Sequence, residues 1–239
     1  MPLPKISTPT YELELPSTGE TIQYRPFLVK EEKLLVIALE SEDTKQITTA
    51  IKNVIKNCIQ TKNIKVETLP TFDIEYLFLN IRGKSVGEEI DVNIICPDDG
   101  ETQVQVKINL DDIQVQKSDE HTNRIKLDDN IMMEMKYPSL DQFIKNNFDF
   151  GDKNAMDQSF DLIGSCIDKI YTEDEVWSTA DVTKKELNEF LESMNSSQFK
   201  DIEKFFETMP KLSHTIKVTN PNTKVESEVV LEGLASFFA

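Results

Sequence analysis

The sequence predicts an α+β fold in which antiparallel β-hairpins pack with about seven helices. Two observations lead to this class. Short segments in which apolar and polar residues alternate occur in pairs, separated by turn residues, and longer segments repeat apolar residues at helical spacing. The hairpins are expected near both ends and in the middle of the 239-residue chain, and the C-terminal half is expected to be mostly helical with a terminal hairpin.

The first 60 residues predict a hairpin followed by two helices. Residues 11–15 and 21–25 alternate polar and apolar side chains, and the turn residues 16–19 separate the two runs. Apolar residues then follow a helical pattern over 30–39 and again over 44–60. These two helices are expected to form a helical hairpin beside the strands.

The middle of the chain predicts one buried helix and several short strands. Thr71 is a suitable N-cap for a helix that is apolar on most sides. A second hairpin follows, since residues 90–94 and 104–108 alternate around the turn Cys96-Pro-Asp-Asp-Gly100. Further alternating runs predict strands over 113–115, 125–127 and 131–135.

The last hundred residues predict mainly helices. The helical segments are expected over 137–143, 155–170, 183–194 and 196–209, with an acidic, aromatic connector at 171–177. Strands over 214–219 and 224–231 form the terminal hairpin. The pattern is weakest around Gly151, which suggests an α+β domain over 1–147 and a mostly helical domain over 148–239.

The chain has a formal net charge of −17, and the excess of acidic residues lies beyond residue 66. Residues 1–66 contain nine basic and eight acidic side chains, whereas the rest contains 17 basic and 35 acidic ones. A strongly acidic surface repels phosphate backbones and anionic lipids, so neither nucleic acid nor membranes are expected partners. It suits solubility or contact with basic protein surfaces.

Three widely spaced cysteines, Cys58, Cys96 and Cys166, indicate neither a disulfide framework nor a zinc site, because no CxxC pair occurs. Reduced thiols in a cytoplasm are expected. The first residues lack the apolar core of a signal peptide, and no run approaches the ~20 apolar residues of a membrane span.

No pattern of residues favours catalysis, a cofactor or a metal. The loop at Cys96 resembles half of a zinc knuckle without its second cysteine, and Asp98, Asp99 and a distant histidine could complete four ligands. A tight hairpin turn with solvated aspartates is the simpler interpretation. His121 and His214 have no catalytic partner at a motif spacing, and the acidic pairs are typical of solvated faces. We therefore expect a protein that is not an enzyme.

Exposed aromatic residues would indicate a protein interface, whereas buried ones would belong to the core. Trp177 and the terminal pair Phe237 and Phe238 are candidates of this kind, although the terminal pair could also dock on its own sheet. Within the segment 24–33, which leads from the hairpin into the first helix, Tyr24, Arg25 and Phe27 complete the predicted interface residues.

Several segments of the chain form a pattern through their order and spacing. The first are Leu-Pro-Ser-Thr-Gly at 15–19 and Tyr-Arg-Pro-Phe-Leu-Val-Lys-Glu-Glu-Lys at 24–33. The remaining segments are 72–79, 96–102, 137–140 and 231–238. Together they resemble the T4-like bacteriophage baseplate hub subunit family, and the resemblance covers essentially the whole chain.

This resemblance implies a non-enzymatic structural or assembly component of the central hub of a contractile tail baseplate. The implied partners are other baseplate and hub proteins, with a homo-oligomer as a further option, and the implied location is the virion tail, with host cytoplasm during assembly. Two alternatives remain open. One is a hydrolase that uses carboxylates or a metal, and the other is an acidic, host-directed binding protein that mimics nucleic acid.

Overall fold

The computed structural model describes residues 6–140, 142, 155–233 and 236. Within these residues there are six α-helices and eleven strands arranged in four sheets. The helices are α1 Val29–Glu40, α2 Thr44–Cys58, α3 Thr71–Val86, α4 Ala155–Cys166, α5 Lys184–Glu192 and α6 Ser196–Thr208. The strands are β1 Tyr11–Glu14, β2 Thr21–Tyr24, β3 Glu89–Ile95, β4 Gln103–Asn109, β5 Gln114–Gln116, β6 Arg124–Lys126, β7 Met132–Met135, β8 Ile167–Tyr171, β9 Val176–Ser178, β10 Lys211–Thr219 and β11 Glu226–Glu232.

The predicted fold class needs correction. The arrangement is roughly α+β, but the prediction that the C-terminal half is mostly helical is wrong. Six strands and three helices lie in the described residues beyond position 120. The predicted helix over 155–170 ends at Cys166, because the next residues pair as β8 with β7 and β9. Of the helix predicted over 137–143, residues 137–140 and 142 are described, and only Leu140 and Gln142 among them are helical.

The chain forms two compact units that are interleaved along the sequence. The first contains residues 1–66, 72–116 and 211–239, and the second contains 67–71 and 117–210. The domain boundary predicted at residue 148 falls outside the described residues, so that division stays a prediction. In the described part of the chain, no helix has the length and apolar character that a membrane span requires.

The first unit contains three of the sheets and helices α1 to α3. The predicted hairpins are confirmed, with Tyr11 opposite Tyr24 in one and Glu89 opposite Asn109 in the other. The third sheet has the order β11-β10-β5. Its inner face packs with β3, β4 and α3 around a core that includes Leu79, Val92, Ile113 and Leu212. The core forms because alternate strand residues are apolar.

The second unit contains a four-stranded antiparallel sheet of order β6-β7-β8-β9 and helices α4 to α6. Its core includes Met133, Ile167, Ile202 and Phe205. Thr183 caps α5 together with Glu186, and Asn195 caps α6 together with Gln198, so both helices begin where the sequence predicts. The register of β7 and β8 shifts between Glu134 and Met135, which marks a β-bulge.

Candidate interaction surface

Helix α1 is fixed at its first turn by a buried carboxylate. Glu31 is fully buried, and its Oε1 lies 3.0 Å from Nη2 of Arg25. Its Oε2 accepts a hydrogen bond of 2.8 Å from the backbone N–H of Leu28, which satisfies one of the free donors at the start of the helix. Burial opposes ionisation of Glu31, but the hydrogen bonds from Arg25 and Leu28 outweigh it and lower the pKa of the carboxyl.

The segment before α1 is held by further contacts within the first unit. The Phe27 N–H donates a 2.9 Å hydrogen bond to Oγ of Ser85 in α3. The Arg25 N–H donates to the carbonyl of Cys58 at the end of α2, and an Arg25 guanidinium nitrogen donates to the Pro26 carbonyl. Residues 25–31 therefore set the direction in which α1 leaves the hairpin.

Helix α1 buries only a narrow side. Glu31 and Ala38 are buried and Leu35 is half-buried. At 100° per residue, Val29, Val36 and Ile37 lie on the opposite side, and Leu34 and Leu39 flank them. We call this set the α1 outer face, and it consists of Val29, Leu34, Val36, Ile37 and Leu39. Their exposed fractions range from 47% for Val36 to 76% for Val29.

Several neighbouring apolar side chains exposed on one helix are unusual for a protein that works alone. Single exposed apolar residues are common, but a contiguous patch typically marks a contact with another molecule. Here five of the twelve residues of α1 are exposed apolar residues, and at 100° per residue Lys33 and Glu40 lie among them on the outer side. The α1 outer face is therefore suited to pack against an apolar surface that also carries charged groups.

The three predicted interface residues in the segment 24–33 differ in how far they are exposed. Tyr24 is 2% exposed and its ring packs near that of Tyr11. Burial raises the pKa of its hydroxyl. Arg25 is largely buried against Glu31, and Phe27 is half-buried. These residues support α1 from within the unit, and the exposed apolar residues nearest to them belong to the α1 outer face.

Trp177 lies on β9, at the edge of the four-stranded sheet. It pairs with Ile170 of β8 and is 42% exposed, and its neighbour Val176 is exposed as well. Phe237 and Phe238 lie outside the described residues. The structure thus places an exposed aromatic residue at one of the predicted positions, and the proposed contact role of these residues stays a prediction.

The sequence interpretation missed the α1 outer face, although a signal was present. Leu34, Leu35, Val36, Ile37, Ala38 and Leu39 form an unbroken apolar run. Six consecutive positions on a helix span every direction around its axis, so they cannot all face one core. The prediction recognised the helix and placed it beside the strands, but it identified no exposed apolar face on it.

The Cys96 loop forms a polar junction between two hairpin turns. Nδ2 of the buried Asn220 donates to Oδ1 of Asp98 at 3.0 Å and to Oδ2 of Asp99 at 2.8 Å. Hydrogen bonds from the Thr223 hydroxyl and from Asn220 lower the pKa of Asp98. Among the described residues, no group of three or more His, Cys, Asp or Glu side chains is arranged to hold a metal. The aspartates thus bind a neighbouring turn.

The two histidines lie in different units. The His121 ring stacks with Tyr137 and packs at a tilt against Phe205. Its ring nitrogens lie 3.0 Å from the hydroxyls of Thr208 and Tyr137. Partial burial lowers the pKa of His121. His214 lies in β10 opposite Leu231. Each ring nitrogen of His121 therefore contacts a hydroxyl that helps to position it.

Comparison with known protein families gives a match over most of the chain. The sequence model of the family described as T4 bacteriophage base plate protein matches residues 8–239. Neither a curated protein nor a solved structure matches the chain.

Proposed function

Because the chain belongs to the family of T4 bacteriophage base plate proteins, we propose that it is a non-enzymatic component of the central hub of the baseplate. The family places it among the structural proteins of the phage tail baseplate, whose partners are other baseplate proteins. The narrower assignments are our proposal. These are the hub position, action in a contractile tail through protein contacts alone, and passage through the host cytoplasm during assembly.

The α1 outer face is the observation that carries this proposal. Its five apolar residues are exposed on one helix, and Arg25 and Glu31 fix the start of that helix. An apolar patch held on a rigid element favours binding, since little conformational entropy is lost when it is covered. We assign to it an apolar helix or sheet face of another baseplate protein, because the family works by contact with such proteins.

Trp177, Phe27, Phe237 and Phe238 remain proposed contacts of the same kind, and Tyr24 and Arg25 are proposed to act by supporting α1. Trp177 is exposed on an edge strand, which supports its assignment. It is also the one tryptophan in the chain, so its fluorescence reports on any partner that covers it.

The test replaces two residues of the α1 outer face in the double variant Val36→Glu/Ile37→Glu. Because both side chains are exposed, the melting temperature of the isolated protein should change little. Baseplate formation should fall sharply in cells infected by a phage that lacks its own copy of the chain, because two charges would be buried at the contact. Complementation titre and electron microscopy of the tails measure this outcome.

The matched control is Val86→Glu/Ile95→Glu, which also adds two charges at apolar positions that are more than half exposed. It should support normal tail assembly. Equal loss in both double variants would contradict a specific role for the α1 outer face, and so would normal assembly with Val36→Glu/Ile37→Glu. Self-association of the wild-type chain, abolished by the same variant, would assign the face to a second copy.

Mass spectrometry tests separately whether the protein remains in the finished virion. Presence in purified virions and in assembly intermediates identifies a building block of the hub. Presence in the intermediates alone identifies a protein that assists assembly and then leaves.

A further inference from the structure

Strand β11 has an outer edge with which no other described strand pairs. It spans seven residues at the end of the sheet with order β11-β10-β5, and it pairs with β10 along its whole length. An edge of this length is a template for a further strand, and many proteins shorten or cover such edges to avoid it. The backbone groups and side chains along the outer edge of β11 indicate what kind of strand can pair with it.

The hydrogen bonds at both ends of the hairpin identify which backbone groups point outward. The Asn220 N–H donates to the Val225 carbonyl, and the Gly233 N–H donates to the Leu212 carbonyl. In an antiparallel ladder, every second residue bonds to the partner strand. Residues 227, 229 and 231 therefore bond to β10. Residues 226, 228, 230 and 232 direct their backbone groups to the outer edge, where the Glu232 carbonyl accepts from Ser236 Oγ at 2.7 Å.

The same alternate residues form an acidic row on the solvent side of the sheet. Glu226, Glu228 and Glu232 are exposed, and Val230, between the last two, is 56% exposed. Lys217 of β10 lies 3.6 Å from Glu228 and 4.0 Å from Glu226. One lysine thus lies near two of the three glutamates, so the row has a net negative charge.

We propose that the outer edge of β11 binds an extended segment of a partner protein that adds a strand to the sheet and carries Lys or Arg at alternate positions. Backbone hydrogen bonds supply affinity in this mode, and alternate side chains supply specificity. Basic residues opposite Glu226, Glu228 and Glu232 form favourable cross-strand pairs, while a small apolar residue fits beside Val230.

The acidic row argues against a second copy as the occupant. Two β11 strands paired edge to edge would bring glutamates of both copies together on one face, and like charges in such positions are destabilising. The acidic row therefore disfavours pairing between the β11 strands of two copies and favours pairing with a basic strand. This inference does not depend on the α1 outer face, so the two can fail separately.

The probe is a synthetic nine-residue peptide in which lysine alternates with threonine and valine. Amide hydrogen exchange followed by NMR should show new protection at residues 226, 228 and 230 when the peptide binds. The N–H groups of 227 and 229 already bond to β10 and should change much less. A peptide of the same sequence that is N-methylated at every residue retains the charge but has no backbone N–H to donate to the outward carbonyls of β11. Its methyl groups also keep its backbone from approaching the edge closely, so it should not protect these amides.

The main variant is Val230→Pro. Proline removes an N–H that points outward, so the ladder with β10 is retained. The affinity for the lysine peptide should fall about fivefold, which is the net value of one hydrogen bond. The triple variant Glu226→Gln/Glu228→Gln/Glu232→Gln retains the backbone and should bind the peptide more weakly and with less dependence on salt. It serves as the test if the proline variant does not fold.

Three results would overturn the proposal. The first is unchanged exchange at residues 226, 228 and 230 with the lysine peptide present. The second is equal binding of the N-methylated peptide, which would indicate simple attraction of charge. The third is self-association of the chain through this edge, detected by ultracentrifugation and removed by Val230→Pro.

Discussion

At the scale of single residues, Glu31 has the clearest physical role. It joins the hairpin segment to α1, because it receives hydrogen bonds from Arg25 and from the Leu28 N–H while it is fully buried. A buried charge is tolerated when its partners compensate for lost water, and removal of one partner leaves the other uncompensated. This carboxylate thus acts together with the hydrogen bonds of Arg25 and Phe27 to set the direction of α1 and of its outer face.

Glu31→Ala should destabilise the first unit by about 3 kcal/mol, because Arg25 would be left without its buried partner. Urea unfolding at pH 7 measures this loss. The exposed neighbour Glu32 supplies the control, since Glu32→Ala should change the free energy of unfolding by less than about 0.5 kcal/mol. Similar effects of both substitutions would show that the Arg25 pair contributes little.

The pH dependence of Glu31 has a defined sign. Its pKa is lower in the folded protein than the ordinary value of 4.5, so its stabilising contribution is complete above pH 4.5. The contribution disappears as the pH falls through the lower folded pKa. Glu31→Gln should therefore flatten the stability profile below pH 4.5. A variant profile as steep as that of the wild type would contradict this assignment.

At the scale of elements, local patterns predicted the hairpins and several helices well. The strands β1, β2, β3 and β4 each alternate apolar and polar residues, and the N-caps at Thr183 and Asn195 fix the starts of α5 and α6. These features depend on neighbours in sequence, so the sequence alone indicates them.

Strand β8 shows why another part of the fold was not predicted. Met135 pairs with Ile167 and Glu134 pairs with Lys169, so Asp168 is an extra residue at a bulge. The bulge lets both Ile167 and Ile170 face the core, although they are three residues apart. That spacing is typical of a helix, and the prediction extended α4 accordingly. The bulge depends on pairing with β7, which local periodicity does not report.

The α1 outer face was missed for a related reason. A pattern of apolar residues indicates a helix, but only the three-dimensional arrangement determines which side the unit covers. Helix α1 buries Glu31 and Ala38 and leaves Val36 and Ile37 exposed. The predicted interface segment, residues 24–33, therefore contains only Val29 of the α1 outer face, and the other four residues lie beyond it.

The junction between the two hairpin turns makes a prediction at the same scale. Asn220 is buried, and besides donating to Asp98 and Asp99 it accepts from the Asn222 N–H at 2.8 Å. Asn220→Ala should lower the free energy of unfolding by about 2 kcal/mol, because buried groups lose their partners. Asn220→Asp should be worse at pH 7, since it adds a third carboxylate, and should recover partly in acid.

Chemical denaturation at pH 7 and pH 4 measures both effects. Asn222→Ala is the control from the same turn, because the Asn222 side chain bonds to Oγ1 of Thr102 on the exposed side of the junction. It should change stability by less than about 0.5 kcal/mol. If Asn220→Asp were as stable as the wild type at pH 7, the hydrogen bonds from the Asn220 side-chain amide to Asp98 and Asp99 would not stabilise the junction.

At the scale of the whole molecule, the two units have separate cores, and each unit contains at least one cysteine. Cys58 and Cys96 lie in the first unit and Cys166 lies in the second. All three are free and buried. Burial raises the pKa of Cys58 and of Cys166 to about 11. Burial, followed by the nearby charges of Asp98 and Asp99, raises that of Cys96.

Because the thiolate is the reactive form, the native protein should react very slowly with iodoacetamide at pH 7.5. Labelling should begin only when urea opens the surrounding core. Cores that are stabilised separately open separately, so Cys58 and Cys96 should become labelled over one range of urea and Cys166 over another. Peptide mass spectrometry resolves the three sites. Simultaneous labelling of all three would instead show one cooperative transition, and labelling of Cys58 well before Cys96 would show that the first unit is itself divided.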